Sequence, residues 1–204
     1  MYQPSKYKNN DSQFIFNFIK EYPFATLVLQ GPELLATHVP VLMEGSAQEF
    51  RLYAHIANHN PMWEQLENEK ELLVIFKSPD AYISASWYTD PDIPTWDYSA
   101  VHINARLQLQ TEEELHQSLE NLISHFERNQ ENPLDINEIP NEVWDENFKE
   151  ITGFWLMPTK MAGIAKLHQG FQKEDIKNIT EQLNKQSKCP MNNVSTLIKK
   201  QHDL

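Results

Sequence analysis

The stretch "YAHIANHNPMWEQL", Tyr53 to Leu66, places two histidines and two asparagines where an alternating segment gives way to a turn. Asn is a favoured helix N-cap and Pro a favoured first helical residue, so Asn60-Pro61 reads as the start of a short helix. Free amides just inside such a start attract anions, phosphate above all, and His55, Asn58 and His59 add side-chain donors beside them. The alternative is an ordinary capped turn whose histidines are solvated.

Two other stretches carry recognisable chemistry. In "LLATHVPVL", His38 and Pro40 fall on one face of a strand, with Thr37, Val39 and Val41 on the other. A Pro inside a strand leaves a partner carbonyl unpaired, which a planar ligand's N–H could use; equally, it protects an edge strand against aggregation. "SPDAYISASWYTDPDIPTWDY" supplies Tyr82, Ser84, Trp87, Tyr88, Trp96 and Tyr98. Aromatics at this density suit a stacking pocket, a subunit interface or a core plug under a loop. From Val101 to Leu109 apolar residues alternate with His102, Asn104, Arg106 and Gln108, a strand with one oily and one polar face. Trp96 and Tyr98 share the parity of His102, so the polar face opens on aromatics.

Other chemistries lack their residues. One cysteine, Cys189, allows no disulfide framework and no thiolate zinc site. Only five glycines are present and none forms a phosphate-cradling loop. There is no H-E-x-x-H and no G-x-S-x-G, so neither a metal site nor a Ser or Cys nucleophile is expected. A net charge of −12 and a pI near 5.1 oppose general nucleic-acid binding. Lys160, Lys166, Lys173, Lys177, Lys185, Lys188, Lys199 and Lys200 crowd the last quarter, either as a solvated helical face or as a polyanion patch. With no secretory leader and no membrane-length apolar run, a soluble cytoplasmic protein is expected.

These residues need a frame. Asp11 can cap a helix striped by Phe14, Ile15, Phe18 and Ile19. "PFATLVLQGPELLATHVPVLM" reads as two strands around Gly31-Pro32, with Pro40 demoting the second to an edge. "EFRLYAHIA" is a third strand, "PMWEQLENE" the short helix, and "ELLVIF" a fourth strand. Ser78 to Trp96 reads as an aromatic loop leading into the alternating strand. Thr111 and Glu114 make a capping box for a helix carrying Leu115, Leu119, Leu122 and Phe126. "NQENPLDINEIPNE" is a Pro-broken acidic connector and "ITGFWLMP" a final strand. Two amphipathic helices close the chain, through Ile176, Ile179 and Leu183 and through Val194, Leu197 and Ile198. Short antiparallel strands with added helices predict a mainly β (α+β) single domain over 1–204, a small barrel with a C-terminal helical extension from about residue 172.

The same stretches, in order, resemble the PaiB family of FMN-binding negative transcriptional regulators. The likeness runs from "MYQPSKY" through "PFATLVL", "LLATHVPVL", "AHIANHNPMW", "SPDAYISASWY" and "PTWDYSAVHI" to "GIAKLHQ". It implies a split β-barrel, antiparallel and Greek-key, homodimeric, with FMN at the subunit interface. By the same resemblance Thr37, His38 and Pro40 line the isoalloxazine, while His55, Ile56, Ala57, Asn58 and Asn60 hold the phosphate end. Tyr82, Ser84, Trp87 and Tyr88 complete the pocket with Thr95, Trp96, Tyr98 and His102, partly from the other subunit. Lys166 and Gln169 fall in a Lys-x-Ser-Gln-Asn-like segment. The chain departs from the family pattern at Asn58 (commonly Arg), Ala85 (Pro), Asp97 (Asn), Ala105 (Gly), and at His168 and Gly170 (Ser and Asn). Losing an Arg weakens a dianion site, and Asp97 adds negative charge.

Three functions compete: an FMN-binding protein whose cofactor carries the chemistry, a flavin-independent regulator acting through a protein or DNA partner, and a pyridoxamine-phosphate-oxidase-like or haem-handling oxidoreductase. The first is the reading the ordered motifs favour.

Overall fold

The computed structural model describes residues 1–186 and 194–203; Lys188 and Cys189 lie outside the described residues. In chain order the elements are α1 (Ser12–Glu21), β1 (Phe24–Gln30), β2 (Leu34–Pro40), β3 (Leu42–Gly45), β4 (Phe50–Ala57), β5 (Glu71–Lys77), β6 (Ala81–Ile83), β7 (Thr95–Leu109), α2 (Glu112–Glu127), α3 (Asn141–Phe148), β8 (Ile151–Lys166), α4 (Lys173–Gln186) and α5 (Val194–Gln201). They divide between two compact units. One comprises 1–15, 77–101 and 162–204, the other 16–76 and 102–161.

The second unit is built on the antiparallel order β2-β1-β5-β7-β8-β4-β3. Period-two alternation turns Leu27, Leu29, Leu52, Val74, Ile103, Leu107, Phe154 and Leu156 inward, and none exceeds 2% exposure. Pro40 does mark an edge, since β2 ends the strand order. It also breaks the expected strand. Lacking an N–H, Pro40 ends the ladder at its pairing with Phe24, Val41 bonds to the Pro23 carbonyl, and the chain re-enters the sheet as β3 against β4. The capping box at Thr111 forms in both directions. Of the α2 stripe, however, only Leu115 is buried; Leu119 and Leu122 are half-buried and Phe126 is exposed. Helix α3, unread in the sequence, follows the acidic connector with Pro140 at its N-cap position.

In the first unit the Asp11 carboxylate accepts the Phe14 amide at 2.8 Å, opening α1 as expected. The segment Ser78–Trp96 is more than a loop: β6 pairs with the start of β7, Tyr82 opposite Trp96. Ser84 caps one 3-10 turn, Ala85–Trp87, by accepting the Ser86 amide. The final strand runs well past Pro158 to Lys166, because Lys8 bridges to Ile164 and the Asn9 and Ala165 amides donate to Gly163 and Tyr7 carbonyls. A side chain at Gly163 would meet the Asn9 carbonyl oxygen at 2.2 Å, so this approach requires glycine. Ile176, Ile179, Leu183, Val194 and Ile198 of α4 and α5 pack with Ile83, Ala165 and Leu167 in one cluster, as their spacing predicted.

Candidate functional site

The turn after β4 differs from its reading. No α-helix opens at Pro61; a single 3-10 turn spans Trp63–Gln65, and Leu66 is already extended at ψ 119°. The Asn60 side chain accepts the Met62 amide, and the chain then has only a few residues in which to reach β5 at Glu71. Three residues cannot align enough peptide dipoles to make an anion site, so the helix-terminus argument for phosphate falls.

What remains is a side-chain network. Asn60 Nδ2 donates to Thr37 Oγ1 at 2.9 Å, joining two residues that the family resemblance puts at the ring and phosphate ends of the flavin. Asn58 Nδ2 donates to the Lys149 carbonyl, and its Oδ1 accepts the Thr152 hydroxyl at 2.7 Å. Thr152 in turn accepts the Trp63 indole N–H at 2.8 Å. Thr152 and Lys149 had no sequence signal, because each is a neighbour only through the pairing of β4 with β8. His55 is half-buried, and burial lowers its pKa, which keeps the imidazole neutral at pH 7. Burial does the same to His102. Ile56 is core, at 2% exposure. His38 lies exposed on edge strand β2, its ring edge-on to Phe24 at 6.3 Å.

The aromatic stretch separates into two fates. Trp87 and Tyr88 pack against the α4–α5 cluster. Tyr82 and Trp96 instead stand 48% and 54% exposed, paired edge-to-face at 5.9 Å across the β6–β7 register. Tyr98 is half-buried on the same face of β7. Lys166 donates to Thr95 Oγ1 and, at 2.6 Å, to the Trp96 carbonyl, bracing the strand that holds Trp96. Gln169 is engaged at the end of β8, donating to the Ala165 carbonyl and accepting the Leu167 amide.

Behind Tyr88 lies a constellation that the sequence did not reveal. Asp97 is completely buried and His168 is 2% exposed, and the Asp97 carboxylate pairs with His168 Nδ1. His168 Nε2 meets the Tyr88 hydroxyl at 2.9 Å. Alternation does put Asp97 on the inward face of β7 with Val101 and Ile103, but nothing local names His168 as its partner. Burial, then the carboxylates of Asp97, Asp92 and Asp175, push the Tyr88 hydroxyl up to about 12, so it stays protonated.

Lys173, Lys177, Lys185 and Lys200 are exposed on α4 and α5. Among the described residues no helix is long and apolar enough to cross a membrane, and no cluster of His, Cys, Asp or Glu has metal-holding geometry.

Residues 1–160 match the family model described as "Putative FMN-binding domain". The chain is 32% identical over 185 residues, 90% of its own length and 89% of the relative's, to the protease synthase and sporulation protein PAI 2 of Bacillus subtilis (strain 168). Among solved structures, the FAD and heme binding protein from Mycobacterium smegmatis matches with a TM-score of 0.57 at 12% identity, over 83% of this chain and 78% of that one. The flavocytochrome Anf3 from Azotobacter vinelandii matches with a TM-score of 0.57 at 15% identity, over 83% of this chain and 74% of that one. At such identities these two likenesses speak for the fold alone, an antiparallel split β-barrel with added helices. With the family model covering most of the chain and PAI 2 aligned nearly end to end, the chain belongs to the PaiB family of FMN-binding domains.

Proposed function

We propose that this chain works as a flavoprotein homodimer, with FMN held at the interface between two copies. The observation that carries this reading is the Tyr82–Trp96 pair. Two large aromatics stand about half exposed, fixed by strand register and braced through Lys166. Aromatic surface left open in this way calls for a planar ligand or a second subunit to cover it. An isoalloxazine is such a ligand, so the residues present fit the group. When bound, FMN supplies one- and two-electron redox chemistry; the chain supplies orientation and exclusion of water.

On this reading Thr37, His38 and Pro40 lie along the ring and the segment from His55 to Asn60 meets the phosphate end, as the family resemblance implies. Burial keeps His55 uncharged, and Asn58 stands where an Arg is common. Phosphate recognition is therefore modest, and ring stacking contributes a larger share of the affinity. Any regulatory role is indirect, through the flavin's state or a protein partner, because a chain of net charge −12 repels a phosphate backbone.

Freshly purified protein is expected to show flavin absorption bands and to scatter light as a dimer at micromolar concentration. Trp96→Ala is expected to weaken FMN about tenfold, the worth of one good stacking contact. A colourless protein that does not quench FMN fluorescence on titration would sink the flavin reading. A monomer mass would sink the interface.

A further inference from the structure

The C-terminal ends of α1 and α2 border one cavity, and we propose that it binds a small amphipathic carboxylate, a medium-chain fatty acid being the simplest case. The cavity has a volume of about 280 Å³, and its apolar lining is Ile19, Val41, Leu42, Met43 and Tyr53. Lys20, Asn121, His125 and Arg128 complete it, and all of these residues belong to the second unit. That is room for roughly nine waters, or a ligand of about a dozen non-hydrogen atoms, and octanoate falls in that range. None of the lining residues is among those that the family resemblance gives to the flavin.

The apolar lining arises where the edge strand breaks. β2 stops at Pro40, Val41 bonds to the Pro23 carbonyl just past α1, and Leu42 starts β3 opposite Tyr53. Ile19, Val41, Leu42 and Tyr53 are buried core residues, yet each also borders the cavity. Apolar surface at the margin of a core is what an alkyl chain covers favourably.

The polar lining holds cations and no carboxylate. Among the described residues neither Lys20 nor Arg128 forms an ion pair, in a chain of net charge −12. Their acidic neighbours are engaged elsewhere: Glu21 accepts the Tyr22 hydroxyl, Glu127 accepts the Leu134 amide, and Glu44 pairs with Arg51. Lys20 lies 4.3 Å from the Phe16 ring centroid, a contact that steadies the side chain and leaves its charge unneutralised. Both charges are felt at His125, whose pKa is lowered by burial and then by Arg128 and Lys20. His125 is therefore neutral at pH 7. The Tyr53 hydroxyl, pushed up by burial and then by Glu44, stays protonated and adds no negative charge. A cation in a last helical turn ordinarily offsets the helix dipole. That role accounts for a cation at each helix end, not for both ends bordering one apolar cavity. An inorganic anion would leave the apolar lining wet, and a neutral lipid would leave the cations unpaired. A carboxylate with an alkyl tail meets both.

The test is binding of octanoate to the full chain, by calorimetry and saturation-transfer NMR, with and without saturating FMN. Octanoate is expected to bind at one site per chain, about tenfold tighter than octanamide, which has its chain without its charge. Lys20→Gln combined with Arg128→Gln should remove that preference and leave octanamide binding as it was. Asn121→Trp should abolish binding of both by filling the cavity. All three side chains are exposed, so these variants keep the fold. FMN should leave octanoate affinity unchanged. The proposal is overturned by no saturable binding, by equal affinity for octanoate and octanamide, or by a preference that survives the double Gln variant. Undiminished binding by Asn121→Trp (surface attraction only) overturns it as well, as does one-for-one displacement by FMN, which makes the cavity part of the flavin site. Because octanoate binding needs no flavin, a colourless protein that still binds octanoate refutes the flavin reading and leaves this one standing.

Discussion

Two polar clusters in this molecule are built on opposite terms. Around Asn58 and Asn60, in the second unit, each side-chain amide and hydroxyl meets a partner at ordinary distance, and the cluster lies half-open to water. Around Asp97, in the first unit, a carboxylate and an imidazole are taken wholly out of water, and one carboxylate oxygen is left without a partner. A satisfied, half-exposed network stabilises a turn at little cost. A buried carboxylate with an unpaired oxygen is a poor route to stability, because desolvation offsets most of the attraction to its partner. The first arrangement is scaffolding that can also be touched by a ligand. The second has the character of a site.

The largest test of that contrast is to remove one half of the buried pair. His168→Leu leaves the Asp97 carboxylate uncompensated and is expected to cost about 3–5 kcal/mol in urea unfolding. Adding Asp97→Leu should recover most of that loss, since two apolar side chains of similar volume need no pairing. If the double variant is no more stable than the single one, the pair is a structural keystone and the contrast collapses.

Asn60→Ala should cost about 1–2 kcal/mol, from the lost Met62 amide contact and the lost bond to Thr37. Thr37→Val should cost only part of this, because it removes one bond and leaves the Met62 contact intact. An equal loss from both would mean that the Thr37 bond carries the turn.

Asn58→Arg separates scaffolding from recognition at one position. Breaking the links to Lys149 and Thr152 should lower stability by about 1 kcal/mol. If the turn meets the FMN phosphate, the new guanidinium should nevertheless tighten FMN about tenfold and leave riboflavin unaffected. Equal effects on the two flavins would show that the turn is only a turn.

The smallest effect is the acid side of the stability profile. Burial lowers the His55 pKa from 6.5, so below pH 6.5 the unfolded chain binds the proton more readily than the folded one. Its contribution is fully present above that pH and is lost as pH falls toward the folded-state value. His55→Gln should flatten the unfolding free energy between pH 7 and pH 5. An unchanged slope would assign the acid sensitivity elsewhere, with His102, shifted in the same sense, the next residue to test.

The local code was strong wherever one element's own residues decide its state. Alternation in β7, the Thr111–Glu114 box, the Gly31-Pro32 turn and the striping of α4 and α5 were legible because period, cap and turn chemistry act within a few residues. The order of the motifs was legible too, and with it the family. The helix at Pro61 was misread because Asn-Pro opens a long helix and a single turn alike; the distance left to β5 decides between them, and that distance belongs to the sheet. Asp97 read as an unwelcome charge because a sequence displays the charge but not its depth. Only tertiary structure carries β8 back to lay His168 against it, 71 residues along the chain, and then sets Tyr88 on the far nitrogen. Sequence fixes which groups can exchange a proton or stack on a ring. Which of them meet, and which are cut off from water, follows from long-range strand pairing, since desolvation is a property of surroundings that no residue carries alone.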